Sequence, residues 1–228
     1  IKYFPSAGIS ILSEDNAWLA VSCGRSGQND KGGHGHNDKN SFELNVNSLD
    51  YVIDGGSPFY TSDFYERNRY RSTISHNTLM LNNLEQNFLG SDLNGLFTMH
   101  EEADPNLIVD KNNTIIGRHS GFGSVHERSF QLTKNKLLIE DYINDDRNKY
   151  LNFNIHNNVT VKLVCLQENN IKFELIHKDG KSIYLEINGA NEYSFSNGAY
   201  SESYRNPISN ILIKVKINNH KTLTSFTW

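Results

Sequence analysis

Ser41-Phe42-Glu43-Leu44-Asn45-Val46 puts Phe42, Leu44 and Val46 on one side of an extended chain and Ser41, Glu43 and Asn45 on the other, the period of a half-buried strand. A polar turn at Asn47-Ser48 leads into a second strand, Tyr51-Val52-Ile53-Asp54. Upstream, residues 9–12 and 17–22 read as an opening hairpin across Ser13-Glu14-Asp15-Asn16. Downstream, strands are predicted over 77–82, 114–119, 123–133, 136–143, 150–157, 159–166, 171–177 and 182–187. The alternation of Ile211, Ile213, Val215 and Ile217 precedes a last short strand ending at Trp228. No stretch sustains an apolar pattern of helical period, so helices are predicted to be few and short, and residues 58–71 irregular. Strands in succession without helices between them predict an all-β, antiparallel β-sandwich. A weak composition shift over 167–170 is not read as a boundary, so residues 1–228 form one domain.

The composition suits that fold. Only 37% of the 228 residues are hydrophobic, but twelve Phe, eleven Tyr and two Trp supply bulky apolar surface at few positions. A net charge of −4 and a pI near 6.1 give no global attraction for nucleic acid or an anionic membrane. A polyanion would need a local basic cluster, for which Lys31, Arg67, Arg69 and Arg71 are the candidates. No apolar run approaches the roughly 18 residues of a membrane span. The start, Ile1-Lys2-Tyr3-Phe4-Pro5, lacks the layout of a signal peptide, and without an initiator Met the chain reads as a piece of something longer. Cys23 and Cys165 form no zinc-type pair and are read as inert core residues.

The loop over 24–35 is rich in Gly, Ser, Asn and Asp, and it ends in Gly33-His34-Gly35-His36-Asn37-Asp38. His36, Asp54 and His76 are donors of the kind that bind Zn²⁺, and three protein ligands leave a fourth position for water or substrate. The same residues also read as loop-edge histidines satisfied by turn backbone and an aspartate capping the turn before Gly55-Gly56. His34 shares a face with His36 in a regular strand, but Gly35 permits a twist that turns one ring away. One imidazole can then hold metal while the other serves as proton acceptor or charge neutraliser. His-x-His also occurs in cupins, but no suitably spaced Glu or later cupin His motif follows.

Taken together, Gly33-His34-Gly35-His36-Asn37-Asp38, Ser41-Phe42-Glu43-Leu44, Val52-Ile53-Asp54-Gly55-Gly56 and Arg71-Ser72-Thr73-Ile74-Ser75-His76-Asn77-Thr78 resemble the C-terminal β-sandwich domain of the heparinase II/III-like polysaccharide lyases. The resemblance continues through His126-Glu127-Arg128, Leu138-Ile139-Glu140-Asp141 and Phe153-Asn154-Ile155-His156. It implies a supersandwich that binds Zn²⁺ through His36, Asp54 and His76, with His34 facing the substrate. It further implies β-elimination on a uronic-acid polysaccharide, in a cleft shared with an N-terminal α/α toroid. That toroid has no counterpart in these residues, so little activity is expected of the chain alone. Tyr60, Tyr65, Tyr70 and Arg71 are candidates for sugar stacking, phenolic hydrogen bonds and carboxylate pairing; the competing reading is aromatic packing and a strand-edge salt bridge. A non-catalytic carbohydrate-binding module with a structural zinc is the alternative function. The substrate class implies a periplasmic or secreted protein.

Overall fold

The computed structural model describes residues 1–110 and 114–228. The chain opens with β1 (Lys2–Phe4), β2 (Ile9–Glu14), β3 (Ala17–Ser22), β4 (Ser41–Val46) and β5 (Leu49–Val52). Helix α1 (Phe64–Arg71) and a 3-10 turn (Thr73–Ser75) lead to β6 (Leu79–Leu81), helix α2 (Leu93–Leu96) and β7 (Asn106–Val109). The central strands are β8 (Ile115–His119), β9 (His126–Thr133), β10 (Lys136–Ile143), β11 (Lys149–Ile155) and β12 (Val159–Gln167). The chain closes with β13 (Asn170–His177), β14 (Ser182–Asn188), β15 (Ala190–Ser201), β16 (Pro207–Ile217) and β17 (Lys221–Thr227).

The strands form two antiparallel sheets. One runs β1-β2-β3-β4-β5-β11-β16-β15, with β6 beside β11; the other runs β12-β13-β14-β17-β10-β9-β8-β7. The all-β sandwich is therefore as expected, and its core draws on both inner faces. Phe42 shows how: its ring lies 5.9 Å from Phe130 and 5.9 Å from Phe226 on the facing sheet, and 6.4 Å from Phe153 on its own. Asn47 and Ser48 both have positive φ, 56° and 62°, as a tight two-residue turn between β4 and β5 requires.

Several boundaries differ from the sequence reading. The strand expected over 51–54 is β5, which stops at Val52 and leaves Asp54 beyond its end. The stretch read as irregular over 58–71 contains α1, capped by Asp63, whose side chain accepts from Glu66 N. The sequence reading did not anticipate β1, β7 and β15. Residues 167–170 are a hairpin turn, with Gln167 paired to Asn170. Both cysteines are free: Cys23 is buried, which pushes its thiol up to about 11, whereas Cys165 is only half-buried in β12 and is not core. Among the described residues no helix is long and apolar enough to cross a membrane.

Candidate metal centre

Three chain segments converge at one end of neighbouring strands β4 and β5. The loop entering β4 brings His36, the exit from β5 brings Asp54, and the end of the 3-10 turn brings His76. Asp54 is held by its own turn, where Gly56 N donates to Oδ1 at 2.9 Å, and Gly56 has the left-handed φ of +67° that this turn demands. A Cβ on Gly55 would lie 2.8 Å from Ser75 O, so a glycine lets the two ligand-bearing segments touch. Asn77 then fixes the position of His76. Its side-chain Nδ2 donates to Phe42 O and Ile53 O at 2.8 and 2.7 Å, while its Oδ1 accepts from Asn154 N at 2.6 Å. Asn77 was quoted in the motif but had no role in the sequence reading; a buried amide bridging β4, the β5 exit and β11 leaves no signal in hydrophobic period.

One ligand atom from each of His36, Asp54 and His76 lies within 4.8 Å of the others. His76 Nδ1 is 2.7 Å from Asp54 Oδ2, and the His36 and His76 rings are 5.2 Å apart. Burial alone would raise the Asp54 pKa, but the His76 charge and hydrogen bond, with His36 behind, bring it down to about 2. Burial likewise opposes charge on His76, and Asp54 overcomes it, so that ring sits above its ordinary value. His36 is pushed down to about 4, by burial first and by His76 second. At neutral pH His36 is thus an uncharged donor. In its neutral form, with the Nδ1 proton shared with an ionised Asp54, His76 offers a lone pair on Nε2, a buried atom without a hydrogen-bond partner among the described residues. The donor set and that orphaned nitrogen both fit a divalent cation.

The paired histidines part company, as the glycine between them allows. His34 is exposed, and its ring stands edge-on to Tyr60 at 6.0 Å, whereas His36 turns in toward His76. They do not aim at one ion, which removes the geometry a cupin site would need. The other expected residues divide. Tyr60 remains part-exposed beside His34, and Tyr65 is 79% exposed on α1. Tyr70 and Arg71 are fully buried, which fits packing and leaves no face for a sugar.

Among the described residues Arg71 makes no carboxylate pair. Its guanidinium donates to the carbonyls of Gly35, Gly95, Leu96 and Thr98 at 2.8 to 3.3 Å. Arg67, equally buried, donates to Gly33 O at 2.9 Å and to Leu96 O at 2.9 Å. The two guanidiniums therefore grip the carbonyls on either side of His34. Burial lowers the pKa of each, Arg71 to about 10 with Arg67 adding to it. Among the described residues the basic cluster considered for a polyanion does not form: Arg69 pairs with Glu66 at 2.6 Å, Arg67 and Arg71 are inside, and Lys31 alone of the four is exposed. Arg71→Lys, which loses the planar fork, is expected to lower unfolding stability by about 1–3 kcal/mol in urea titration and to speed amide exchange over residues 33–37. Unchanged exchange there would mean that Arg71 does not hold the loop.

A second buried network lies beneath the centre. Asp141 accepts from Arg128 Nε at 2.7 Å and Nη2 at 3.1 Å, and its Oδ1 is 2.7 Å from His126 Nε2. His126 and Arg128 thus share a face, in the interior hydrogen bonding that their alternation allowed. Burial lowers the pKa of His119 and His126 most, so both rings are neutral; Arg128, against the opposing effect of burial, keeps Asp141 ionised. The tautomers follow: His126 gives Nε2–H to Asp141 and accepts at Nδ1 from His119 Nε2, 3.1 Å away. Arg128 Nη1 also donates to Asn40 O and Asn77 O, at 3.0 and 2.8 Å, one on each histidine-bearing segment.

With this geometry established, comparisons place the chain among known proteins. A family model described as Heparinase II/III-like, C-terminal, matches residues 1–228. Similar solved structures include a heparinase III, with TM-score 0.77, 18% identity and 98% of this chain covered. Another is the heparinase III BT4657 gene product, with TM-score 0.75, 19% identity and 99% of this chain covered. A third is the heparan sulfate lyase HepC from Pedobacter heparinus, with TM-score 0.73, 16% identity and 98% coverage. At these identities the likeness is one of fold. The chain spans about a third of those structures, 36%, 35% and 35% of their respective lengths. No curated protein matches it at a significant level.

Proposed function

Since the chain belongs to the heparinase II/III-like C-terminal family, we propose that it is the zinc-binding sandwich of a larger polysaccharide lyase that cleaves uronic-acid-containing polysaccharide by β-elimination. The observation that carries this reading is the convergence of His36, Asp54 and His76 beside an exposed His34, within a chain matched to that family from end to end. Bound Zn²⁺ supplies a cross-link among the three segments, and so fixes the loop that carries His34.

The chain's own residues do the rest on this side of the cleft. In β-elimination a base removes the proton at C5, the C4=C5 double bond forms, and the C4–O4 bond breaks as O4 gains a proton. His34, held between carbonyls gripped by Arg67 and Arg71, meets the uronate as proton acceptor or as neutraliser of its carboxylate. Tyr60 packs against the same ring and offers the sugar an aromatic wall. The remaining proton-transfer groups belong to an N-terminal toroid in the parent, and the sandwich alone is inactive. Its substrate class puts the protein in the periplasm or outside the cell.

The test compares this chain with its full-length parent by the ultraviolet absorbance of the unsaturated uronate product. The parent is expected to turn over acidic polysaccharide and the chain alone is not. In the parent, His34→Ala is expected to lower kcat by about a hundredfold or more while leaving bound zinc unchanged. Full activity in His34→Ala, or turnover by the chain alone, would overturn the assignment.

A further inference from the structure

The β15–β16 hairpin, which the motifs never touch, reaches the same side of the molecule. Ser201 N donates to Gly55 O at 3.1 Å, Gly56 bridges to Ser201, and Arg205 N donates to Pro58 O at 2.9 Å. The tip, residues 201–206, is thereby fastened to the segment that leaves Asp54. It is also stapled internally, because the Ser201 hydroxyl lies 2.5 Å from Ser203 O, to which it donates, and 3.1 Å from Asn206 O. This fixed tip presents Tyr204, 54% exposed, with its ring 5.8 Å from that of Tyr60. Arg205 follows at a left-handed φ of 60° and carries its guanidinium to 5.4 Å over the Tyr204 ring. The order outward from the exposed imidazole is therefore His34, Tyr60, Tyr204, Arg205.

We propose that Tyr204 and Arg205 form an additional glycan subsite, in which the Tyr204 face stacks on a pyranose ring of an anionic polysaccharide and Arg205 pairs with its carboxylate or sulfate. This proposal rests on the lyase reading for the identity of the chain, but its contacts include none of the metal ligands. An exposed aromatic ring gives a sugar's C–H face apolar area at little entropic cost, and a guanidinium already laid over that ring is pre-organised to receive an anion in its fork. Tyr60 links the subsite to His34, so a chain bound on the hairpin runs on toward the imidazole. Carboxylate and sulfate present the same chemistry to Arg205, and the experiment separates them.

The probes are heparosan oligosaccharides, which carry carboxylates only, heparin oligosaccharides of the same length, which carry both groups, and neutral cello-oligosaccharides. Binding to the 228-residue chain is followed by titration calorimetry, with zinc content measured alongside. Tyr204→Ala is expected to weaken both anionic probes by about tenfold. Arg205→Ala is expected to weaken both if the carboxylate is read and heparin alone if sulfate is read; neutral probes bind weakly throughout. Tyr142→Ala, which removes a comparably exposed ring (48%) on β10 of the facing sheet, is expected to change nothing. Wild-type affinity in both hairpin variants, or no binding of anionic probes by the wild type, overturns the subsite whatever the zinc content. A zinc-free chain whose glycan binding still depends on Tyr204 overturns the metal reading and leaves the subsite standing.

Discussion

About one equivalent of zinc is expected in the wild-type chain purified without chelator, and none in His36→Ala or Asp54→Ala, by elemental mass spectrometry. The three donors come from segments separated in sequence, so an ion that joins them closes loops that the unfolded chain leaves open. Binding to the folded state alone raises unfolding stability by about 4 kcal/mol when free zinc is about a thousandfold above Kd. A chelator should reverse that gain in the wild type and have no effect on either variant. A wild-type chain that stays metal-free when offered zinc would sink the three-ligand site.

The pH dependence has a definite sign. Below its raised value His76 carries a second proton, on Nε2, and zinc must displace that proton to reach the nitrogen. Affinity should therefore be flat above that raised value and fall below it, with one proton released per ion. Once pH nears 4 His36 also takes up a proton, and the fall steepens. The metal-free chain behaves differently. The depressed His36 means the unfolded state binds more protons between about 6.5 and 4, so stability is lost as pH falls through that window. His76 works the other way: its contribution is complete below about 6.5 and disappears as pH rises through its folded value. Asp54 contributes fully above about 4 and loses that contribution as pH falls from there toward about 2.

What the sequence made legible follows from which interactions leave a period. Phe42, Leu44 and Val46 alternate because they face one core, and the two-residue turn after them needs its small polar residues, so β4 and β5 were readable. The convergence of His36, Asp54 and His76 came from the family resemblance, and the structure brings the three together. Helix α1 was missed because its buried face is Arg67, Tyr70 and Arg71, which shows no apolar stripe. Asp63 three residues before Glu66 was a capping signal that could have announced it. Long β15 was missed because Ser194, Ser196, Asn197 and Gly198 dilute its alternation to the point where it resembles a loop. Arg71 is read from sequence as a candidate for carboxylate pairing or for a strand-edge salt bridge, and among the described residues it makes neither. Nothing in its neighbours showed that backbone carbonyls would take its donors.

The Arg128–Asp141 pair separates stability from metal affinity. Asp141→Ala is expected to cost about 3–5 kcal/mol of unfolding stability, because it leaves a buried guanidinium without its counter-charge. Arg128 would nevertheless still donate to Asn40 O and Asn77 O, so the segments carrying His36 and His76 stay tied and zinc affinity in the folded protein changes little. Arg128→Met removes those two donations as well. Its stability should fall comparably, since Asp141 loses its counter-charge and both carbonyls lose their donor, but zinc affinity should fall about tenfold or more as the ligand segments loosen. Urea unfolding and competitive zinc titration on the two variants measure the two quantities independently. Equal zinc affinities would mean that Arg128 steadies the sandwich interior without positioning the centre. A selective loss in Arg128→Met would show that one buried side chain, anchored on β9 and β10 of the facing sheet, sets the geometry of ligands carried on the other.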